Sequence, residues 1–447
     1  MTTPLRSRRS FLTELAAGIA VAPWVTRGLL AQSPNSVVNH ATFGCGGQAW
    51  SDITSIASHK SVKIVAGCDV DEKRTQEFRK RFPDARVYSD FRELLEKEKD
   101  LQSVNVSTPD HMHAPIGVTA LNRGVHVYGQ KPLAHEVHEV RRMTEIAREK
   151  KLITQMGIQI HSNSEYRTAC KVIQDGLIGK VREVHTWSSK KWGDNGKMPE
   201  PKDPVPAGLD WDKWIGVSAM RPFIGGEWYH PSNWRKRLDF GTGTFGDMGC
   251  HIYDPVFKAL ALTAPLSVRN DGAAPSEHSW ATDAAVDYIF PGTAFTEGKT
   301  VRVVWYDGDQ RPPQEIQDAA GIVKGEKGKE LPSQGSIFLG TDGVMILPHV
   351  SQPRLGGAAE NKTFEKVKSD NHYHQFIETI LGNRKACDAN WDYAGPLTEA
   401  ILLGCVATRF PKQTLDWDAA ALKFTKVDAA NQFIKRTYRK GYEVAGL

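Results

Sequence analysis

Between residues 37 and 159, short apolar runs alternate with charged, amphipathic stretches. The runs at 38–43, 62–68, 103–106, 125–128 and 153–156 read as strands. Those at 76–82, 91–97, 118–123 and 137–151 read as helices, the second opened by Asp90 and Glu93 at capping-box spacing. Strands that alternate with helices imply a parallel sheet covered on both faces. The first strand is the weakest, because Asn39 and His40 break its apolar run. Beyond residue 160 the period changes. A helix over 164–175 stops at Gly176, and the strand runs become longer and alternating, at 181–188, 285–290, 300–306 and 336–347. The last turns back on itself at Gly340-Thr341-Asp342-Gly343. Residues 193–245, rich in Gly, Pro and Trp, predict a long irregular segment near a site, and 374–381 and 396–407 return to helix. The expected fold class is α/β. A parallel sheet over 35–159 is followed, over 160–447, by an α+β domain with a large, mostly antiparallel open sheet, whose exposed face could pair subunits into a homodimer or homotetramer.

Residues 1–34 stand apart. Arg8 and Arg9 precede an uncharged stretch over 15–25, the pattern of a twin-arginine export signal. That stretch is far shorter than the roughly 20 residues a bilayer span needs, so no stable membrane anchor is expected. Cleavage would fall near Ala31, with delivery to the periplasm or otherwise outside the cytoplasm. The same residues carry four arginines against one glutamate, so +3 of the formal +5 belongs to them and about +2 to the remainder. Nucleic acid is not an expected partner, because counterion release needs clustered cations. The six cysteines show no CxxC spacing and read as small buried thiols.

Gly44-Cys45-Gly46-Gly47-Gln48 lies between a predicted strand and a helix, where glycines let the backbone approach a pyrophosphate held by helix N-terminal amides. Asp69 ends the next strand, where a carboxylate can accept both ribose hydroxyls and repel a 2′-phosphate. NAD is therefore favoured, with Lys73 and Arg74 keeping NADP open.

Four elements now follow in order: the glycine loop, Ser107-Thr108-Pro109 with His113, Gln130-Lys131-Pro132, and Asp247-Met248-Gly249-Cys250-His251. With residues 371–410, this series resembles the glucose-fructose oxidoreductase and inositol dehydrogenase (Gfo/Idh/MocA) family. The resemblance implies a Rossmann domain, a substrate and oligomerisation domain with a large sheet, and hydride transfer between nicotinamide and a sugar or polyol. It places cofactor contacts at Gly44, Gly46, Gly47, Gln48, Asp69, Ser107, Thr108, Pro109, His113, Gln130, Lys131 and Gln159. Gln130 departs from the more frequent glutamate. An amide can still bond the nicotinamide ribose but cannot hold Lys131 as an ion pair, which would lower the lysine's pKa. Oxidising a secondary alcohol requires a base for the hydroxyl proton. His251 is assigned that part, Lys131 orients the hydroxyl, and Asp247 orients sugar and histidine. Pro255 leaves two placements open: a helix starting or kinking there, or one running through Asp247, which would align Asp247, His251 and Asp254 on one stripe.

His111, His113, His126, His135 and His138 lack acidic or cysteine partners for a metal cluster, so no metal is expected. Trp192, Tyr229, His230 and Arg235, with Trp228 and Trp234, are the candidates for stacking on and binding a sugar. Two rivals share these residues. A glycoside-cleaving enzyme that oxidises, eliminates and reduces on one NAD needs only one further base, which Tyr229, His230 or Tyr253 could supply. A non-catalytic, nucleotide-bound sugar-binding protein needs none.

Overall fold

The computed structural model describes residues 37–201 and 203–447; the expected export signal lies outside the described residues. The first sheet has six strands, β1 (Val38–Phe43), β2 (Val62–Cys68), β3 (Arg86–Tyr88), β4 (Ser103–Val106), β5 (His126–Gln130) and β6 (Thr154–Gly157). All pair in parallel, in the order β3-β2-β1-β4-β5-β6. Helices α1 (Gln48–Ala57), α2 (Glu72–Arg81), α3 (Phe91–Lys97), α4 (His113–Asn122) and α5 (Val137–Glu149) make the crossovers. The expected weak strand forms because its polar residue is satisfied inside the sheet. His40 is fully buried, with its ring nitrogens 2.8 Å from Ser103 Oγ and 3.0 Å from Asn105 Oδ1 on the neighbouring strand. Burial lowers its pKa to about 4, so the ring is neutral.

The caps differ in detail from the sequence pattern. Asp90 accepts the Arg92 amide, but Glu93 bonds Lys97 rather than closing a box. The reciprocal box forms instead at Glu136 and Glu139, opening α5.

After α6 (Ser164–Gln174), the second sheet begins with β7 (Val181–Ser188). Short α7 (Trp211–Ile215) interrupts the irregular segment, and α8 (Gly243–Leu260) follows it. Then come β8 (Ser267–Asn270), β9 (Ala285–Pro291), β10 (Thr300–Asp307), α9 (Gln314–Ala319), β11 (Gln334–Gly340), β12 (Val344–Pro348) and β13 (Arg354–Gly356). Helices α10 (His372–Ile380) and α11 (Trp391–Thr408) precede β14 (Thr414–Asp418) and β15 (Lys423–Phe424). Nine strands pair as β13-β12-β11-β7-β10-β9-β8-β14-β15, antiparallel except for β7 with β10. The inner face packs on α8 and α11 through Phe245, Tyr288 and Trp305. The outer face is not left open across its breadth, as the sequence had suggested. Ile316, Ala320, Ile322 and Leu331, from the chain between β10 and β11, cover Trp187, Tyr306, Ile337 and Ile346. The remaining half carries charges, with Arg302 bonded to Asp287 at 2.7 Å and to Glu183. All six cysteines are buried and free.

Candidate active site

In the first sheet the order of strands reverses between β1 and β4, the place where doubly wound sheets open a crevice for ligands. Gly44 turns there with φ 93°, and a Cβ on it would stand 2.6 Å from the Ser107 carbonyl oxygen. Only glycine lets the two loops meet. Gly47 has φ 58° and open space where a Cβ would be, leaving room for a phosphate against the first turn of α1. This cradle fits a dinucleotide. Gly46 lies under Arg74, whose Cδ occupies the place of its missing side chain.

Asp69 ties two turns together. Its Oδ2 accepts the Cys45 amide and its Oδ1 the Asp71 amide, both at 2.9 Å, which clamps the glycine loop to the turn after β2. Each oxygen keeps a lone pair for a hydroxyl. Burial pushes its carboxyl up, against the pull of those amides.

Gln48, Ser107 and Gln130 converge on a residue the sequence reading missed, the fully buried Asp52. Gln48 donates to Oδ1 at 2.9 Å, while Ser107 and Gln130 each donate to Oδ2 at 2.8 Å. His113 is buried behind the loops, with its ring nitrogens on the Thr108 and Pro132 carbonyl oxygens at 2.8 and 2.7 Å. It braces the two loops that border the crevice. Pro109 leads from that loop into a short 3-10 turn, and Gln159 holds a buried Oε1 with no partner.

Lys131 follows Gln130 and points the other way, into the second domain. Its Nζ lies 2.6 Å from Asp247 Oδ1 and 2.9 Å from the Asp247 carbonyl oxygen. The absence of a glutamate at 130 therefore does not strip the lysine of a counter-charge. Helix α8 runs through Asp247, His251 and Pro255, which settles the two placements left open by the proline. Asp254 on the same stripe turns inward to His161 and Tyr393, each at 2.7 Å. Asp247 and His251 share a face, but no hydrogen bond joins them. The carboxylate faces Lys131 and, at 3.4 Å, Arg235 Nε. Burial alone would raise the Asp247 pKa; Lys131 and Arg235 outweigh it and hold the carboxyl far below the usual range. His251 is pushed well below the ordinary histidine range by burial and then by Lys131, and its Nδ1 has no partner.

Of the substrate candidates, Arg235 reaches this group, with Trp192 and Trp234 beside it. The Arg235 guanidinium carbon lies 5.5 Å from the Trp192 ring centre and 4.3 Å from that of Trp234. The Trp192 indole nitrogen is buried without an acceptor. Tyr229 and His230 do not. Tyr229 is 2% exposed among Trp211, Trp214 and Phe240, and His230 Nε2 sits 3.0 Å from Asp71 beside the nucleotide turn. Tyr253 is fully buried, so neither tyrosine is placed to act as a further base.

Two family profiles match the chain in order. The NAD-binding Rossmann-fold domain of the Gfo/Idh/MocA oxidoreductases covers residues 38–158, and their C-terminal alpha/beta domain covers residues 162–333. The chain belongs to the Gfo/Idh/MocA oxidoreductase family. Among relatives within it, levoglucosan dehydrogenase of Pseudarthrobacter phenanthrenivorans is 22% identical over 193 residues, which is 43% of this chain and 40% of that protein. Inositol 2-dehydrogenase of Salmonella typhimurium is 29% identical over 126 residues, 28% of this chain and 37% of that one. These matches thus span about two-fifths of the relatives' length. Solved structures share the fold more widely. The WlbA dehydrogenase from Chromobacterium violaceum, in complex with NADH and UDP-GlcNAcA, has a TM-score of 0.60 at 15% identity, covering 87% of this chain and 98% of that one. A levoglucosan dehydrogenase in complex with NADH has a TM-score of 0.58 at 14% identity, covering 85% and 99%.

In this Gfo/Idh/MocA protein a second histidine escaped the sequence reading. His349, just beyond β12, stands with its ring centre 5.7 Å from that of His251 and its Nδ1 2.8 Å from the Tyr166 hydroxyl. Burial, then Lys131 and Lys190, lower its pKa to about 4. Nothing local marks it, since it lies outside the four motif elements. Asp52 did leave a signal: it interrupts the buried stripe Ala49, Ile53 and Ile56 of α1.

Proposed function

We propose that the protein transfers hydride between NAD and a hydroxyl-bearing carbon of a sugar or polyol. The observation that carries this reading is the Lys131–Asp247 ion pair beside His251, reached directly from the cofactor loop that ends at Gln130. NAD, held by the glycine loop, Asp69, Ser107 and Gln130, would supply the hydride acceptor or donor. His251 takes the hydroxyl proton as the alcohol becomes a carbonyl, and returns it in reverse. Lys131 and Arg235 against the one carboxylate of Asp247 leave a net positive charge, which favours a developing alkoxide. Asp247 holds both cations in place, while the Trp192 indole N–H and His349 offer further groups for hydroxyls. The dehydrogenases of levoglucosan and inositol among its relatives support a polyhydroxylated substrate. The arginine pair at Arg8-Arg9 supports export with NAD already bound and recycled between half-reactions.

The test incubates nucleotide-stripped protein with NAD and a panel of aldoses, inositols and anhydrosugars while NADH absorbance is followed. At least one of them reduces NAD, and His251→Ala lowers kcat/KM at least about a hundredfold with NAD affinity nearly unchanged. Parental turnover in that variant removes His251 as the base. Denaturing protein purified without added NAD should release nucleotide; empty protein would refute retention.

A further inference from the structure

Asp52 takes no part in the proton transfer described above, yet it gathers the loops that form the cofactor crevice. Besides Gln48, Ser107 and Gln130, it accepts the Tyr373 hydroxyl of α10 on Oδ1 at 3.2 Å. Every partner is a donor at this contact. The two amide NH2 groups can only donate, and the Ser107 hydroxyl, whose oxygen accepts Asn105 Nδ2 at 2.9 Å, donates to Asp52. Burial raises the Asp52 carboxyl, and the four donors around its two oxygens pull against that and favour the carboxylate. The donors arrive from α1, the loop after β4, the end of β5 and α10, so a single carboxylate fixes the spacing of those pieces. It also decides which way the Gln130 amide faces: Nε2 is drawn to Asp52, and Oε1 is turned onto the Lys131 amide at 3.2 Å.

We propose that Asp52 is a positioning residue for the reactive end of the bound NAD, and that it forms a matched carboxylate–amide pair with Gln130. This rests on the cofactor site alone. It stands or falls independently of His251 as the base.

The test measures NAD affinity of the stripped full-length chain by calorimetry from about pH 6 to about pH 8.5, with thermal unfolding of each stripped variant. Asp52→Asn puts an NH2 group among donors, and NAD binding weakens at least about tenfold. Gln130→Glu sets two carboxyls face to face at a contact now 2.8 Å long. They share one proton at the lower pH and lose it as pH rises, so NAD affinity in this variant falls across the range while the parent's stays level. Tyr373 and Tyr128, the other titratable groups against the pair, are both pushed above the ordinary tyrosine range by burial, so they stay protonated; the neighbouring Lys131 faces Asp247 instead. The double variant Asp52→Asn/Gln130→Glu restores one carboxylate and one amide, and the pH dependence disappears. A merely structural role would not give a pH-dependent affinity that a second substitution removes. Asp52→Asn binding NAD within about twofold of the parent, a level pH profile in Gln130→Glu, or a sloping one in the double variant would each overturn the proposal. Should Asp52→Asn fail to fold, the Gln130→Glu profile decides alone.

Discussion

His251 sets the pH range in which the proposed chemistry runs. Burial and the neighbouring Lys131 both disfavour its protonated form, so the ring stays neutral, and able to accept a proton, as the solution becomes more acidic. The acid limb of kcat/KM therefore falls below the ordinary histidine pKa of about 6.5. Lys131→Met removes one source of that shift, so in addition to lost turnover its limb moves upward. Profiles of both proteins between about pH 4.5 and about pH 8 check the direction, and a parental limb at about 6.5 or above contradicts it. At this scale the chain was partly legible. Lys131, Asp247 and His251 are singled out by the resemblance of an ordered series of motifs to a known family. Aromatic richness does not say which ring faces a ligand: Trp192 lies beside Arg235 at the site, whereas Tyr229 fills a core with Trp211 and Trp214. A buried carboxylate such as Asp52 reveals its purpose only when its donors, drawn from four separate elements, are seen together.

Elements were read best where pattern and packing agree. The five longer strands of the first sheet were legible from their apolar runs, but β3, three residues at an edge, has too little burial to leave a period. Helix α11 begins at Trp391, with Asn390 accepting the Tyr393 amide, before the Pro396 that had suggested a start. Gly404 in α11 illustrates what sequence cannot say. A Cβ there would collide with the Tyr288 hydroxyl and the Phe245 ring, so the helix lies directly on the inner face of the second sheet. Gly404→Ala should cost about 1–3 kcal/mol of stability by overpacking, measurable by chemical unfolding, with NAD affinity unchanged. Gly44→Ala differs in kind. Its positive φ and the 2.6 Å approach to the Ser107 carbonyl mean that the cradle itself must open, so NAD binding is lost along with stability.

Across the whole molecule, the cover over the outer sheet face bears on association. Residues 309–333 shield Trp187, Tyr306, Ile337 and Ile346. Replacing 311–331 by a short Gly/Ser linker exposes a contiguous apolar patch, and the truncated protein should form larger particles than the parent or precipitate. Light scattering after size exclusion reads the difference; unchanged particle mass and solubility would show the cover to be dispensable. On another flank, the irregular segment is stitched to the nucleotide turn. The Glu72 amide donates to the Gly208 carbonyl at 2.8 Å, the Asp210 amide to Val70 at 2.9 Å, and His230 meets Asp71. The same segment continues to Arg235 at the ion pair. Whatever steadies the acidic turn thus steadies the approach to the reacting group, and linkage makes the effect mutual. NAD and substrate should each raise the other's affinity by one common factor, and His230→Ala should bring that factor toward unity. Redesign of the turn to accept a 2′-phosphate would then carry a hidden penalty, because a change of coenzyme preference there also loosens the grip on the substrate.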